Sequence, residues 1–328
     1  IATPPGSHRD IALLVAAAGK ACYIEKPVAR NASETAEVAS AFEAAGVPLF
    51  VAYYRRGQAR FVKAREIVQG GTLGTITDVS YRFSSNHATN QQAKLTAAAT
   101  AATTASDEAE DATGPSTLPW RLRPENSGGG LIMDVGCHAL DAIDYVVGPI
   151  SNVGGRATNC ASPACVVEDV VVMHGTISTA RENSHDGSGN SGSGGGGSAG
   201  FTGVWNFAGP QGGLPDYIII SGTLGTLKIT ACDVSSPLLL EIQGEDAQVL
   251  AFEPPEHVQQ PLIQMVVDDL RSRVESATSG GAGPDVAQPP RCPSTPVSAM
   301  RTAVVLDTIL DGYYGGRGDS FWQREDSW

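Results

Sequence analysis

Two hydrophobic periods alternate along the first part of the chain. Ile1-Ala2 reads as the end of a buried strand, and Thr3 to Ser7 as the turn after it. From His8 to Ala18, apolar residues recur at Ile11, Ala12, Leu14, Val15 and Ala18. This is the spacing of an amphipathic helix, and Gly19 supplies its C-terminal stop. A strand over 21–24, a helix over 33–45 stopped by Gly46, and a strand over 48–52 follow. Strands alternating with helices of this length predict parallel βαβ units.

The period then changes. A helix over 61–69 ends at Gly70-Gly71, and residues 74–84 alternate imperfectly through Ile76, Val79, Tyr81 and Phe83, as a strand would. Val- and Ile-rich runs at 153–159, 166–177, 201–207, 216–221, 226–229 and 238–243 predict further strands, and 258–274 and 297–310 predict amphipathic helices. Many consecutive strands joined by short turns make an antiparallel sheet. The expected fold class is α/β followed by α+β. Three biased segments interrupt it: Ala/Thr-rich then acidic 90–116, Gly/Ser-rich 181–200, and Ser/Gly/Pro-rich 275–290. They carry too little apolar surface to offset their ordering entropy, and are expected to be loose surface insertions.

Composition narrows the function class. At 328 residues the chain is long enough for two cores. A net charge of −13 leaves no basic patch to neutralise phosphates, which argues against a nucleic-acid partner. The longest apolar run is far short of a membrane span. Six scattered cysteines, with no C-x-x-C pair, point to free thiols in a reducing compartment and to no metal site. A cytoplasmic location is expected; the start of the chain carries no targeting signal to read.

Candidate chemistry lies in two motifs about a hundred residues apart. Glu25-Lys26-Pro27 follows an apolar strand, and a residue before proline is pushed out of the helical region into an extended one, or its peptide is cis. Gly128-Gly129-Gly130 then leads through Asp134 to His138, opening an amphipathic stretch that runs to Val147. Glycines let backbone pass close to a ligand. Asp134 and His138, four residues apart, share a helix face, and the helix start favours Asp134 ionised and His138 neutral. A lysine, an imidazole and a carboxylate in one pocket suit proton transfer at a hydroxyl carbon. Taken singly, each has a plainer reading: an exposed loop lysine, an N-cap and a core histidine. Asp144 reads as surface charge, and Arg317-Gly318-Asp319 as part of a short tail.

The sequence resembles the Gfo/Idh/MocA family of nicotinamide-dependent oxidoreductases. The matching stretches, in family order, are Ala2-Thr3-Pro4-Pro5 with His8; Glu25-Lys26-Pro27; Val51-Ala52-Tyr53-Tyr54-Arg55-Arg56; Gly128 to His138 continuing to Asp141; and Ser221 to Leu227. The resemblance implies a partial Rossmann domain at 1–55. A domain at 56–314 with a large, mostly antiparallel open sheet follows, then a tail at 315–328. It implies Lys26, Asp134 and His138 as the catalytic group, and Thr3, Pro4, His8, Glu25, Lys26, Pro27, Tyr53 and Arg55 near an NAD or NADP cofactor. Trp120 and Arg121, with Asp134 and His138, would meet a sugar or polyol substrate. The open sheet offers a surface for homo-oligomers. In the implied reaction His138 takes the hydroxyl proton, Lys26 stabilises the alkoxide and Asp134 orients the substrate. The family's glycine-rich turn and ribose-binding acid have no counterpart upstream of Lys26, so weak cofactor binding is expected. The alternatives are a non-catalytic relative that binds a sugar-like ligand or a partner, and an inactive, incomplete gene product.

Overall fold

The computed structural model describes residues 1–86, 119–160, 166–179, 197–210, 214–278 and 291–323. The first part is a small parallel unit. Helix α1 (His8–Ala17) leads to β1 (Cys22–Ile24), and α2 (Ala32–Ala44) leads to β2 (Leu49–Val51). The Asn31 side chain caps α2 by accepting from the Glu34 amide at 2.8 Å. Strands β1 and β2 pair in parallel, with Cys22 opposite Leu49. Ile1 runs beside β1: its ammonium donates to the Tyr23 carbonyl at 2.7 Å, and its carbonyl accepts from the Glu25 amide at 2.9 Å. On the far edge of β2, Ser294 accepts from the Val51 amide (3.2 Å) and its hydroxyl donates to the Val51 carbonyl (2.6 Å).

The second part is an eight-stranded sheet. Its strands are β3 (Ile76–Ser84), β4 (Ile150–Thr158), β5 (Val170–Ser178), β6 (Ser198–Asn206), β7 (Leu214–Gly222), β8 (Gly225–Thr230), β9 (Leu238–Ile242) and β10 (Gln248–Leu250). The spatial order is β10-β9-β8-β7-β3-β6-β5-β4. Every neighbouring pair is antiparallel except β3 with β6, which run parallel. That pair arises because β4, β5 and β6 return as a meander to the side of β3, so that β3 lies between β6 and β7. Alternation on β6 buries Ala199, Phe201 and Trp205 on one face and leaves Ser198, Gly200 and Thr202 on the other. Helix α3 (Ala59–Gln69) joins the two parts. Helices α4 (Cys137–Val146), α5 (Gln260–Thr278) and α6 (Pro296–Tyr314) complete the chain's long elements. The apolar residues of α4 and α6 join Trp205, Tyr81 and Met173 in one core.

The expected elements are present within a few residues of their sequence bounds, and β10 adds a short strand that the apolar pattern does not reveal. Residues 87–118 and 180–196, which hold nearly all of the first two biased segments, and residues 279–290 of the third lie outside the described residues. The described ends of those segments are ordered elements. Residues 198–200 begin β6 and 275–278 end α5, so the strand and the helix extend further than the composition suggested. Asp144 is a correction too. It is buried, not a surface charge, and accepts from Arg56 and Arg301. Among the described residues, no helix is long and apolar enough to cross a membrane.

Candidate active site

Lys26 stands at the carboxyl end of β1, where parallel sheets leave a crevice for ligands. Its peptide to Pro27 is cis. The ammonium reaches across to the glycine-led segment and donates to the Asp134 carbonyl (2.7 Å) and to Asp134 Oδ1 (2.8 Å). Arg121 Nε donates to the other carboxylate oxygen, Oδ2, at 2.6 Å, and the Arg121 guanidinium lies 4.2 Å from the centre of the Trp120 ring. Both oxygens of Asp134 therefore face a cation. Burial raises the Asp134 carboxyl, but the charges and hydrogen bonds of Lys26 and Arg121 overcome it and hold the group below its ordinary range. Burial likewise disfavours the Lys26 ammonium. Neighbouring Cys137 and Asp134 more than compensate, and its pKa is raised. An ammonium has three donors, and two of Lys26's are committed to Asp134.

The segment that carries Asp134 opens the helical stretch that begins at Leu131, and it opens it wide. Ile132–Gly136 forms a π-helical turn that runs straight into α4. The Asp134 side chain makes no capping hydrogen bond there, and Lys26 and Arg121 are what hold it ionised. Such wide turns are frequent at functional sites. Next along α4, His138 is 9% exposed, with the Tyr53 ring edge-on at 6.3 Å and the Tyr54 ring at 5.3 Å. Its Nδ1 is buried, with no hydrogen-bond partner among the described residues. Burial, with the positive charges of Arg55 and Lys26, pushes the imidazole well below its ordinary 6.5. His138 is thus neutral, as a base must be.

The remaining candidates divide into two groups. Glu25 sits beside the site. Its Oε1 accepts from Gln259 Nε2 at 2.7 Å and its Oε2 from the Lys26 amide at 3.2 Å, while Gln259 in turn accepts from the Tyr23 hydroxyl. Thr3, Pro4 and His8 form the first turn, which is stapled to the Lys26–Pro27 turn. His8 is fully buried, with Nε2 2.6 Å from the Thr3 carbonyl and Nδ1 3.0 Å from the Pro27 carbonyl. It acts through backbone and presents no free ring atom to a ligand. Burial lowers its pKa against the pull of those carbonyls. Arg55 donates from Nε to the Ala231 carbonyl at 2.5 Å, beyond the end of β8, its guanidinium lies over Tyr54, and its charge still reaches His138. Sequence reading passed over Tyr54, Cys137 and Glu168 as site residues. Tyr54 was quoted in a matching stretch, but nothing in its spacing says that its ring meets an imidazole 84 positions on.

Residues 1–53 match the oxidoreductase family with an NAD-binding Rossmann fold, and residues 61–228 match the GFO/IDH/MocA C-terminal domain. Oxidoreductase P35 of Formosa agariphila is 26% identical over 269 residues, which cover 81% of this chain and 68% of that protein. The levoglucosan dehydrogenase of Pseudarthrobacter phenanthrenivorans is 29% identical over 153 residues, 47% of this chain and 33% of that one. Among solved structures, an inositol dehydrogenase homolog from Azotobacter vinelandii, complexed with NAD+, superposes with a TM-score of 0.66 at 18% identity. That superposition covers 96% of this chain and 76% of the other, a likeness of fold. The chain belongs to the GFO/IDH/MocA family of oxidoreductases.

Proposed function

We propose that Lys26, Asp134 and His138 form the catalytic group of a nicotinamide-dependent oxidoreductase that interconverts a hydroxyl and a carbonyl on a sugar or polyol. The observation that carries this reading is a neutral, buried imidazole whose Nδ1 has no partner among the described residues, within reach of the charge of an ammonium that commits two of its three donors to Asp134. The substrate class follows the relatives, which include a levoglucosan dehydrogenase and a D-apiose dehydrogenase. A bound NAD or NADP supplies the hydride acceptor or donor. Thr3, Pro4, Glu25, Lys26 and Tyr53 would hold its nicotinamide end, because they follow the Ile1 segment, β1 and β2 at their carboxyl ends.

The chain's residues do the rest. His138 accepts the proton of the reacting hydroxyl as the carbon loses hydride, and returns it in the reductive direction. The free Lys26 donor meets the developing alkoxide, and Asp134 holds that ammonium charged and aimed. Trp120 and Arg121 line the approach on the Asp134 side.

The test is cofactor reduction by the purified protein across a panel of sugars and polyols, for wild type, Lys26→Met and His138→Asn. We expect turnover by wild type and a loss of ~10²–10⁴-fold in kcat/KM for each variant. Turnover undiminished in both variants would refute the assignment, and no turnover by wild type on any member would favour a ligand-binding role.

A further inference from the structure

After α6 the chain reads as a short tail, yet Arg317, Phe321 and Trp322 within it are buried. The Arg317 side chain has no solvent exposure. Its Nε donates to Asp311 Oδ1 at 3.1 Å and its Nη2 to Asp307, both on α6. Its Nη1 donates to two backbone carbonyls from distant parts of the chain: Arg30 at 3.2 Å, and Gly128. Arg30 lies four residues beyond Lys26, and Gly128 opens the loop that leads into the π-helical turn of Asp134. The Arg317 carbonyl accepts from Asn31 Nδ2 at 2.5 Å.

A second contact reaches the same loop from α6. Tyr314 Oη donates to Glu168 Oε2 at 2.6 Å, and Glu168 Oε1 accepts the Gly130 amide at 2.7 Å. Glu168 is buried. Edge-on aromatic contacts at 4.8–5.4 Å link Tyr313, Tyr314, Phe321 and Trp322, and the Arg30 guanidinium sits 4.5 Å above Trp322. The loop has no slack. Gly128 has φ +83°, and a Cβ there would lie 2.8 Å from Arg30 Cα; a Cβ on Gly130 would lie 2.6 Å from the Glu168 carbonyl.

We propose that residues 313–322 are a positioning clamp for the active site. Arg317 and the Tyr314–Glu168 pair fix the 128–130 loop against Arg30, and so set Asp134 and His138 in register with Lys26. Residues 313–322 lie outside both stretches that match the family domains, whereas their partner Glu168 lies inside the second. Its effect on turnover rests on the oxidoreductase reading, but its effect on the loop does not.

The experiment compares wild type with Tyr314→Phe, which removes one hydroxyl, and Arg317→Met, by hydrogen exchange and by steady-state kinetics. Peptides covering 128–138 should exchange about tenfold faster in either variant, the result of losing a net hydrogen bond, while peptides from β7 and β8 should not change. kcat should fall about 10- to 100-fold, as a shift of the order of an ångström produces, with KM for the cofactor within about twofold of wild type. Unchanged exchange at 128–138 overturns the clamp, as does faster exchange with full kcat. If wild type itself turns over no substrate, the oxidoreductase reading fails and exchange alone decides. If Arg317→Met does not fold, Tyr314→Phe carries the test.

Discussion

Asp134 owes its charge to two cations, and His138 owes its neutrality to burial; a pH dependence follows from the second. The folded imidazole lies well below its ordinary 6.5. As pH falls through 6.5 the unfolded chain binds a proton there that the folded chain refuses, so the wild type loses stability on the acid side. Above 6.5 both states are neutral and the residue contributes nothing to pH dependence. His138→Asn removes this proton uptake. Thermal melts at pH 8 and pH 5 should therefore show wild type losing more than the variant on acidification, and an equal loss in both would contradict a depressed His138. The residues proposed as catalytic stand out in the sequence as candidates because each belongs to a compact motif: Lys26 before a proline, Asp134 and His138 after three glycines. Asp144 was not legible. Its partners Arg56 and Arg301 lie 88 and 157 positions away, and nothing local distinguishes a buried acid from a solvated one.

At the scale of an element, the π-helical turn Ile132–Gly136 carries Asp134 and leads into His138, and Gly136 leaves the room for it. A Cβ at Gly136 would lie 2.9 Å from Ile132 Cγ1 and 3.2 Å from Trp205 Nε1. Ile132 and Trp205 are fully buried and cannot step aside cheaply. Gly136→Ala should destabilise the protein by about 1–3 kcal/mol, as overpacking a core does. It should also lower kcat, because relief can come only by moving the turn. Urea denaturation and a kcat measurement check both, and wild-type stability would show the turn to be looser than drawn. Regular elements were otherwise readable from period and punctuation. Each strand of four or more apolar-rich residues was found, and Gly19, Gly46 and Gly70 follow the helices they were expected to stop. What period cannot show is departure from period. The wide turn, the parallel β3–β6 pairing and the Arg317 clamp all depend on which distant segment arrives alongside.

At the scale of the whole molecule, the parallel unit and the large sheet are joined by buried charge. Arg56, just beyond β2, donates from Nε to both oxygens of Asp141 at 3.0 Å and from Nη2 to Asp144 Oδ1 at 2.8 Å. Arg301 on α6 donates to Asp144 Oδ2 at 2.6 Å and Oδ1 at 2.7 Å. One network therefore ties the end of the parallel unit to α4 and α6. Asp144 is 4% exposed and serves both arginines, whereas Arg301 is 38% exposed. Removing the acid leaves Arg56 with Asp141 while Arg301 turns to water, so the loss should fall at the low end of the range for breaking a buried pair. Asp144→Ala should cost about 3 kcal/mol. The exposed pair Lys63–Glu66, 3.2 Å apart, is the control: Glu66→Ala should change stability by less than about 1 kcal/mol. Because the network and the Ser294 contact to β2 both cross between the two parts, wild type should unfold in a single transition. A second, earlier transition should appear in Asp144→Ala if the parallel unit has come loose. Denaturant melts followed by far-UV dichroism and by tryptophan fluorescence would separate these outcomes. An Asp144→Ala variant as stable as Glu66→Ala would show that apolar packing alone holds the two parts together.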